Sequence, residues 1–219
     1  METITLGRCA EWAMQQQGQA AEARRRAVEA QPLAALTARH TAGAVLLPDR
    51  EALLDWLPPG GEAAEIGVDH GDFAALILRR ARPRRLHLVD AWEDARFAPG
   101  RARVERRFAA EIAAGQVALH VGASLAVLAG FAPGSLDWLY LDTDHSYATT
   151  AAELPLAARA LRGGGVLAGH DYCAGNVVGP VPYGVIAAVH AFCVAEGWGF
   201  AALALDGRGH LSFALRQRS

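Results

Sequence analysis

The chain has 219 residues, with 21 Lys+Arg against 23 Asp+Glu and a formal net charge of −2. That balance excludes a global basic field for nucleic acid, and 52% hydrophobic residues exclude a disordered chain. The length suits a single domain with a sizeable core.

The start, Met1-Glu2-Thr3-Ile4-Thr5, lacks a charged stretch followed by an apolar one. No apolar run reaches the length of a membrane span, so a cytoplasmic protein without membrane contact is expected. Residues 8 to 41 read as helix, rich in alanine and glutamine, with Arg24-Arg25-Arg26 on a polar face and Gly18 interrupting a narrow apolar one. This segment can cover the sheet or pair with a second subunit, and a homodimer is the expectation. Residues 44–50 read as a turn into a helix that Asp49 caps, and Pro58-Pro59-Gly60-Gly61 stops it. Residues 1–60 are thus expected to form an N-terminal helical cap, and residues 61–219 the main domain, the two folding as one unit.

From Ala63 onward strand-like and helix-like stretches alternate. The apolar runs are 63–68, 85–90, 117–121, 136–142 and 165–169, and the helical stretches are 72–80, 101–114, 125–129 and 149–161. Such alternation predicts βαβ units and a mainly parallel, doubly wound sheet, with a ligand at the carboxyl ends of its strands. The tail predicts a helix over 185–196, then a hairpin of 200–205 and 210–215 around Asp206-Gly207-Arg208-Gly209. Cys9, Cys173 and Cys193 show no C-x-x-C spacing, which argues against a disulfide framework or a zinc knuckle. Arg79, Arg80, Arg82, Arg84 and Arg85 read as a solvated helix end.

The first strand runs into a glycine turn, Glu65-Ile66-Gly67-Val68-Asp69-His70-Gly71, with Asp72 as an expected cap of the next helix. The pattern is Glu-x-Gly-x-x-x-Gly, not the dinucleotide fingerprint, and no Walker lysine follows. Asp90 ends the second strand, where an acid can accept both hydroxyls of a ribose. Trp92 either stacks on an adenine or packs on the sheet as a loop aromatic. Ala123 and Ser124 form a small-residue turn after the third strand that an adenine edge can meet. The fourth strand ends in Asp142-Thr143-Asp144-His145-Ser146-Tyr147. Two acids and a histidine there suit proton transfer, with His145 or Asp144 as base. The bland alternative is a capped helix and a surface histidine. The fifth strand ends in His170-Asp171, and Asp142, His170 and Asp171 can hold a divalent cation or work as a metal-free proton network.

The stretch Asp137-Trp138-Leu139-Tyr140-Leu141-Asp142-Thr143-Asp144-His145-Ser146-Tyr147, with Gly163-Gly164-Gly165 and His170-Asp171-Tyr172, resembles class I S-adenosylmethionine-dependent methyltransferases. The resemblance is to the stand-alone branch of small-molecule O-methyltransferases and cephalosporin-hydroxylase-like proteins. It covers Pro48 to about Trp198. It implies a Rossmann-like α/β fold: a mainly parallel, seven-stranded sheet with a C-terminal antiparallel hairpin. It implies Glu65, Gly67, Val68 and Gly71 around the methionine part of the cofactor. Asp90 would take the ribose, with Ala91 and Trp92 beside the adenosine, and Ala123 and Ser124 would flank the adenine. Asp142 and Asp171 match the acids that hold Mg²⁺ in metal-dependent members. His170 departs from that pattern, because those members usually carry an acid there. His70, inside the glycine turn, is also atypical and can reach a substrate.

The expected activity is methylation of a hydroxyl on a small molecule, with S-adenosylmethionine as cofactor and Mg²⁺ or another divalent cation as an optional one. No nucleic-acid partner is expected. A non-catalytic binding module of the same fold is the alternative. A nicotinamide-dependent oxidoreductase ranks lower, because its G-x-G-x-x-G is missing.

Overall fold

The computed structural model describes residues 6–176 and 181–218, with side chains from residue 14 onward. The N-terminal segment opens with α1 (Leu6–Glu29), where Glu22 pairs with Arg25 and Arg26 along the polar face. The helix expected to run to residue 41 breaks after α1. Pro32 lacks an N–H and disfavours the helical conformation at Gln31. A single helical turn, α2 (Ala38–Thr41), follows.

The turn expected over residues 44–50 is instead a strand, β1 (Val45–Leu47). Next comes α3 (Arg50–Trp56), and Asp49 caps it as expected, accepting from the Ala52 N–H at 2.7 Å. The main alternation then runs β2 (Glu62–Ile66), α4 (Asp72–Arg80), β3 (Arg85–Asp90), α5 (Ala98–Arg107), α6 (Ala109–Ala113) and β4 (Val117–Val121). It continues with α7 (Ser124–Gly130), β5 (Leu136–Leu141), α8 (Tyr147–Ala160), β6 (Leu161–Gly169), α9 (Val185–Glu196), β7 (Trp198–Ala204) and β8 (Ser212–Gln217). The helix expected over 101–114 is split at Phe108 into α5 and α6. Asp72 is not the cap of α4. Gly71, at φ +77°, holds the N-cap position, and Asp72 lies inside the first turn, paired with Arg103 and Arg107.

The sheet order is β1-β7-β8-β6-β5-β2-β3-β4. Only β8 runs antiparallel to its neighbours, β6 and β7. The seven expected strands are β2 to β8. An eighth, β1, is added at the edge beside β7, with Val45 opposite Ala202. Both faces of the sheet are covered, so its strands alternate between two cores rather than between core and solvent. In β5, Trp138 and Tyr140 face a cluster with Phe73, Ile77 and Leu53. Leu139 and Leu141 face another, with Leu154, Val189 and Phe192.

This order has a reversal between β2 and β5. From β2 the sheet grows through β3 to β4, and from β5 through β6 to β8. A crevice at that switch point, over the carboxyl ends of the strands, is where open α/β sheets take their ligands. The arginines expected as a solvated helix end are partly tied down. Arg80 pairs with Glu51 and Asp55, and Arg84 with Glu62. No helix among the described residues is long and apolar enough to cross a membrane.

Candidate active site

At the switch point the ends of β2 and β5 come within contact. The Asp142 N–H donates to the Ile66 carbonyl at 2.8 Å, and a side chain on Gly67 would meet the Asp142 carbonyl oxygen. Gly67 stands at φ +91°, so glycine answers both the backbone conformation and the close approach. The turn that follows is braced by Asp90 at the end of β3. One Asp90 oxygen accepts from the N–H groups of Val68 and Asp69, at 2.8 and 2.9 Å, and the other from Trp92 N–H at 2.9 Å. The carboxylate expected to meet a ribose thus also holds the glycine turn in place. Gly71 packs against Phe108 and Val104.

Trp92 is only 5% exposed, and its Nε1 donates to the Asp69 carbonyl at 2.8 Å. Of the two readings of this residue, the structure shows the packing one, because the indole is buried with Val104 and Phe108. Ala91 beside it is half-buried. His70 pairs with its neighbour Asp69, Nδ1 to Oδ1 at 2.5 Å. Ala123 is the exposed N-cap of α7. The buried carboxyl of Glu153 accepts from the Thr143 hydroxyl at 2.9 Å through Oε2.

Glu65 lies in the middle of the sheet with 1% exposure, and its Oε2 has no hydrogen-bond partner. Burial, reinforced by Asp142, pushes its carboxyl well above the usual range, with Arg50 opposing. Buried polar atoms are nearly always paired, so an orphan acceptor at a strand end fits a ligand donor.

The densest constellation joins the ends of β5 and β6. His145 Nε2 lies 2.8 Å from Asp171 Oδ2 and 3.3 Å from Asp142 Oδ1. His170 Nδ1 lies 3.2 Å from Asp171 Oδ1 and 3.6 Å from Asp142 Oδ2. On the far side, His210 Nδ1 reaches Asp171 Oδ1 at 2.6 Å. Burial would raise both acids, but the surrounding imidazoles outweigh it and hold Asp142 and Asp171 below the usual range. Burial would likewise lower His145, yet its bonds to the two carboxylates win and push it up to about 9. The imidazole is therefore an imidazolium at neutral pH, not the near-neutral base that the sequence suggests.

Asp144 stands apart from this cluster. Its carboxylate accepts from the Ser146 N–H at 2.9 Å and the Thr149 hydroxyl at 2.7 Å, and so braces Ser146, the N-cap of α8. Because β5 ends at Leu141, strand alternation does not put Asp144 on the side of Asp142.

Several members of the site were not legible in the sequence. Arg50, at the start of α3, sits over the Phe73 ring at 3.9 Å with its Nη1 3.4 Å from His170 Nε2. Tyr183 lies on His145 with ring centroids 4.6 Å apart, and Gln31, just after α1, donates to the Tyr183 carbonyl at 3.0 Å. The loop over residues 173–183 therefore meets the N-terminal segment. Residues 177–180 of that loop, with Gly179 and Pro180, lie outside the described residues. His210 comes from the hairpin, with no local pattern to mark it. Among the described residues, four of the five non-glycine residues at positive φ are Asp69, Trp92, His145 and Asp171. All four follow the carboxyl ends of strands, where strained backbone gathers around ligand sites.

Residues 64–172 match a family model described as a methyltransferase domain. This segment holds Glu65, Asp90, Asp142, His145, His170 and Asp171. A methyltransferase dependent on S-adenosylmethionine, from Aquifex aeolicus, superposes with a TM-score of 0.57 at 12% identity, covering 77% of this chain and 89% of that one. An rRNA methylase from Streptococcus thermophilus gives 0.55 at 12% identity, over 78% and 95%. A Streptococcus mutans protein described as a methyltransferase, solved with S-adenosylhomocysteine, gives 0.55 at 12% identity, over 77% and 96%. The fold is that of the S-adenosylmethionine-dependent methyltransferases. The chain spans only 43% and 51% of the length of two longer chains it also matches. No curated protein matches its sequence.

Proposed function

We propose that this chain is an S-adenosylmethionine-dependent methyltransferase acting on a hydroxyl of a small molecule. The observation that carries this reading is the orphan Oε2 of buried Glu65 at the switch point, inside a segment that matches a methyltransferase domain. When bound, the cofactor supplies a methyl group already activated on a sulfonium.

Glu65, with Gly67, Val68 and Gly71, would hold the methionine part, Oε2 accepting from its ammonium. Each carboxylate oxygen of Asp90 has two lone pairs, so its three backbone bonds leave one, on the oxygen that accepts from Trp92, for a ribose hydroxyl. Ala91, Ala123 and Ser124 would border the adenosine. Asp142, His170 and Asp171 offer oxygen and imidazole donors to a divalent cation, which would lower the pKa of a coordinated hydroxyl. Without a cation, the imidazolium of His145 compensates the two carboxylates, and a proton leaving an acceptor would go to a carboxylate oxygen of Asp142, His145 being already charged. Tyr183 fixes the His145 ring by stacking.

A small acceptor is favoured over RNA by the net charge of −2 and by the ion pairs that occupy Arg80 and Arg84. The test is calorimetric titration with S-adenosylhomocysteine, with and without Mg²⁺, on wild type and Asp90→Ala. Micromolar binding that the substitution abolishes supports the reading. Absence of binding under both conditions overturns it and leaves the non-catalytic module.

A further inference from the structure

We infer that Asp171, Cys173 and His210 form a site for a borderline-soft divalent metal of the Zn²⁺ class. This goes beyond methyl transfer and does not depend on it. Two of the residues, Cys173 and His210, lie outside the segment that matches the methyltransferase domain.

The ligand atoms converge from two separate pieces of chain. Asp171 and Cys173 follow β6, and His210 precedes β8. All three donor atoms lie within 4.8 Å of one another. Tyr172, between the two ligands, turns the other way: its hydroxyl meets His190 Nε2 at 2.6 Å, and its ring packs against Phe200 and Phe213. That anchor fixes Asp171 and Cys173 on the side facing His210. His170 stacks on His210 at 6.2 Å, and Tyr183 meets it edge-on at the same distance, so the imidazole is held from two sides.

The spacing suits a metal better than it suits a hydrogen bond. Cys173 Sγ stands 3.8 Å from His210 Nδ1, a long contact for a thiol donor. Tetrahedral zinc with bonds of about 2.3 Å to sulfur and about 2.0 Å to nitrogen separates the two atoms by about 3.6 Å. The sulfur–nitrogen pair therefore already stands at ligand spacing. The Asp171 oxygen, at 2.6 Å from His210 Nδ1, needs to retreat by less than about 1 Å. The other contact of the thiol, to the Gly175 carbonyl at 3.6 Å, is weak and gives way easily.

Ligand type sets the metal. A thiolate with an imidazole and a single carboxylate disfavours Mg²⁺ and selects Zn²⁺ or its neighbours. Three protein ligands leave a fourth position for water or for an oxygen of a small molecule, as in open zinc sites. Asp171 is shared with the Asp142–His170 group, so filling one position withdraws a donor from the other.

The test is titration of metal-stripped, full-length protein with Co²⁺ as a spectroscopic stand-in for Zn²⁺. It requires neither cofactor nor acceptor, so its outcome is separate from that of the methyltransferase reading. Wild type should develop a thiolate-to-cobalt charge-transfer band in the near ultraviolet, which added Zn²⁺ abolishes. Cys173→Ser, checked for an unchanged melt, should lose the band. His210→Gln should weaken Co²⁺ binding by at least about tenfold, and Asp142→Asn should keep the band. No band in wild type overturns the site. So does a band that survives Cys173→Ser, because the thiolate would then be Cys9 or Cys193.

Discussion

His145 Nε2 lies 2.8 Å from Asp171 Oδ2, and the same nitrogen faces Asp142 at 3.3 Å. One imidazole thus keeps two carboxylates from different strands together. His145→Ala leaves the acids facing one another and removes the positive charge between them. Turnover should fall by about 10²–10⁴-fold. Affinity for S-adenosylhomocysteine should change little, because the cofactor contacts are assigned to Glu65 and Asp90. Parallel turnover and calorimetry on this variant decide the point, and equal losses in both would make His145 a structural residue.

Gly67→Ala should be severely destabilising. Its Cβ would lie 1.8 Å from the Asp142 carbonyl oxygen, and its φ of +91° is unfavourable for any side chain. A loss of about 3 kcal/mol is expected from strain and forced separation of β2 from β5. Urea unfolding measures it, and a loss below about 1 kcal/mol would mean that the strand ends part easily.

Glu65→Gln should separate stability from binding. The folded carboxyl is raised, so above the ordinary value of 4.5 the folded state holds a proton that the unfolded state gives up. That costs stability as pH rises from 4.5 toward the folded value. Glutamine removes this cost and should raise the melting temperature at neutral pH by about 2–4 °C for each kcal/mol recovered. Cofactor affinity should fall at the same time, because the amide no longer offers a carboxylate to an ammonium. Differential scanning calorimetry with and without S-adenosylhomocysteine reads both effects. A variant that melts lower and binds equally well would contradict both.

A third titrating group lies far from the crevice. His87 bonds His120 at 2.9 Å and Glu62 at 3.1 Å on one face of the sheet. Burial lowers His87 from its ordinary 6.5, only partly opposed by Glu62. The unfolded chain therefore binds more protons than the folded one just below pH 6.5, and stability should fall as pH drops through that value. Glu62 is itself lowered, because the His87 bond and Arg84 outweigh its burial. Its contribution is lost below 4.5, in the same direction. His87→Gln should flatten the melting-temperature profile below about pH 6.5. A slope unchanged in the variant would assign it to other groups.

Much of this architecture could be read from residue patterns. The helix over Val185–Glu196 has the bounds that its composition predicts, and the glycine turn after β2 sits at the switch point. What escaped depends on distance along the chain. Val45–Leu47 is too short to show a period of two, and it becomes a strand only because β7 offers an edge. His210 joins Asp171 across the hairpin, a meeting that no local spacing marks. Trp92 and Asp144 stay ambiguous in the sequence for another reason. Their residue types suit both ligand contact and self-contained packing or capping, and only the fold decides which one wins.

The pairing of β1 with β7 has a consequence for synthesis. Val45 leaves the ribosome long before its partner, Ala202, because five strands, β2 to β6, lie between them in the chain. The strand β1 must wait until β2 to β6 have been made before its hydrogen bonds can form. Leu46 is 71% exposed even in the finished sheet, so a chain stalled before Trp198 would carry this apolar edge with nothing to cover it. Chaperone dependence should therefore be greatest for nascent chains that stop just short of β7.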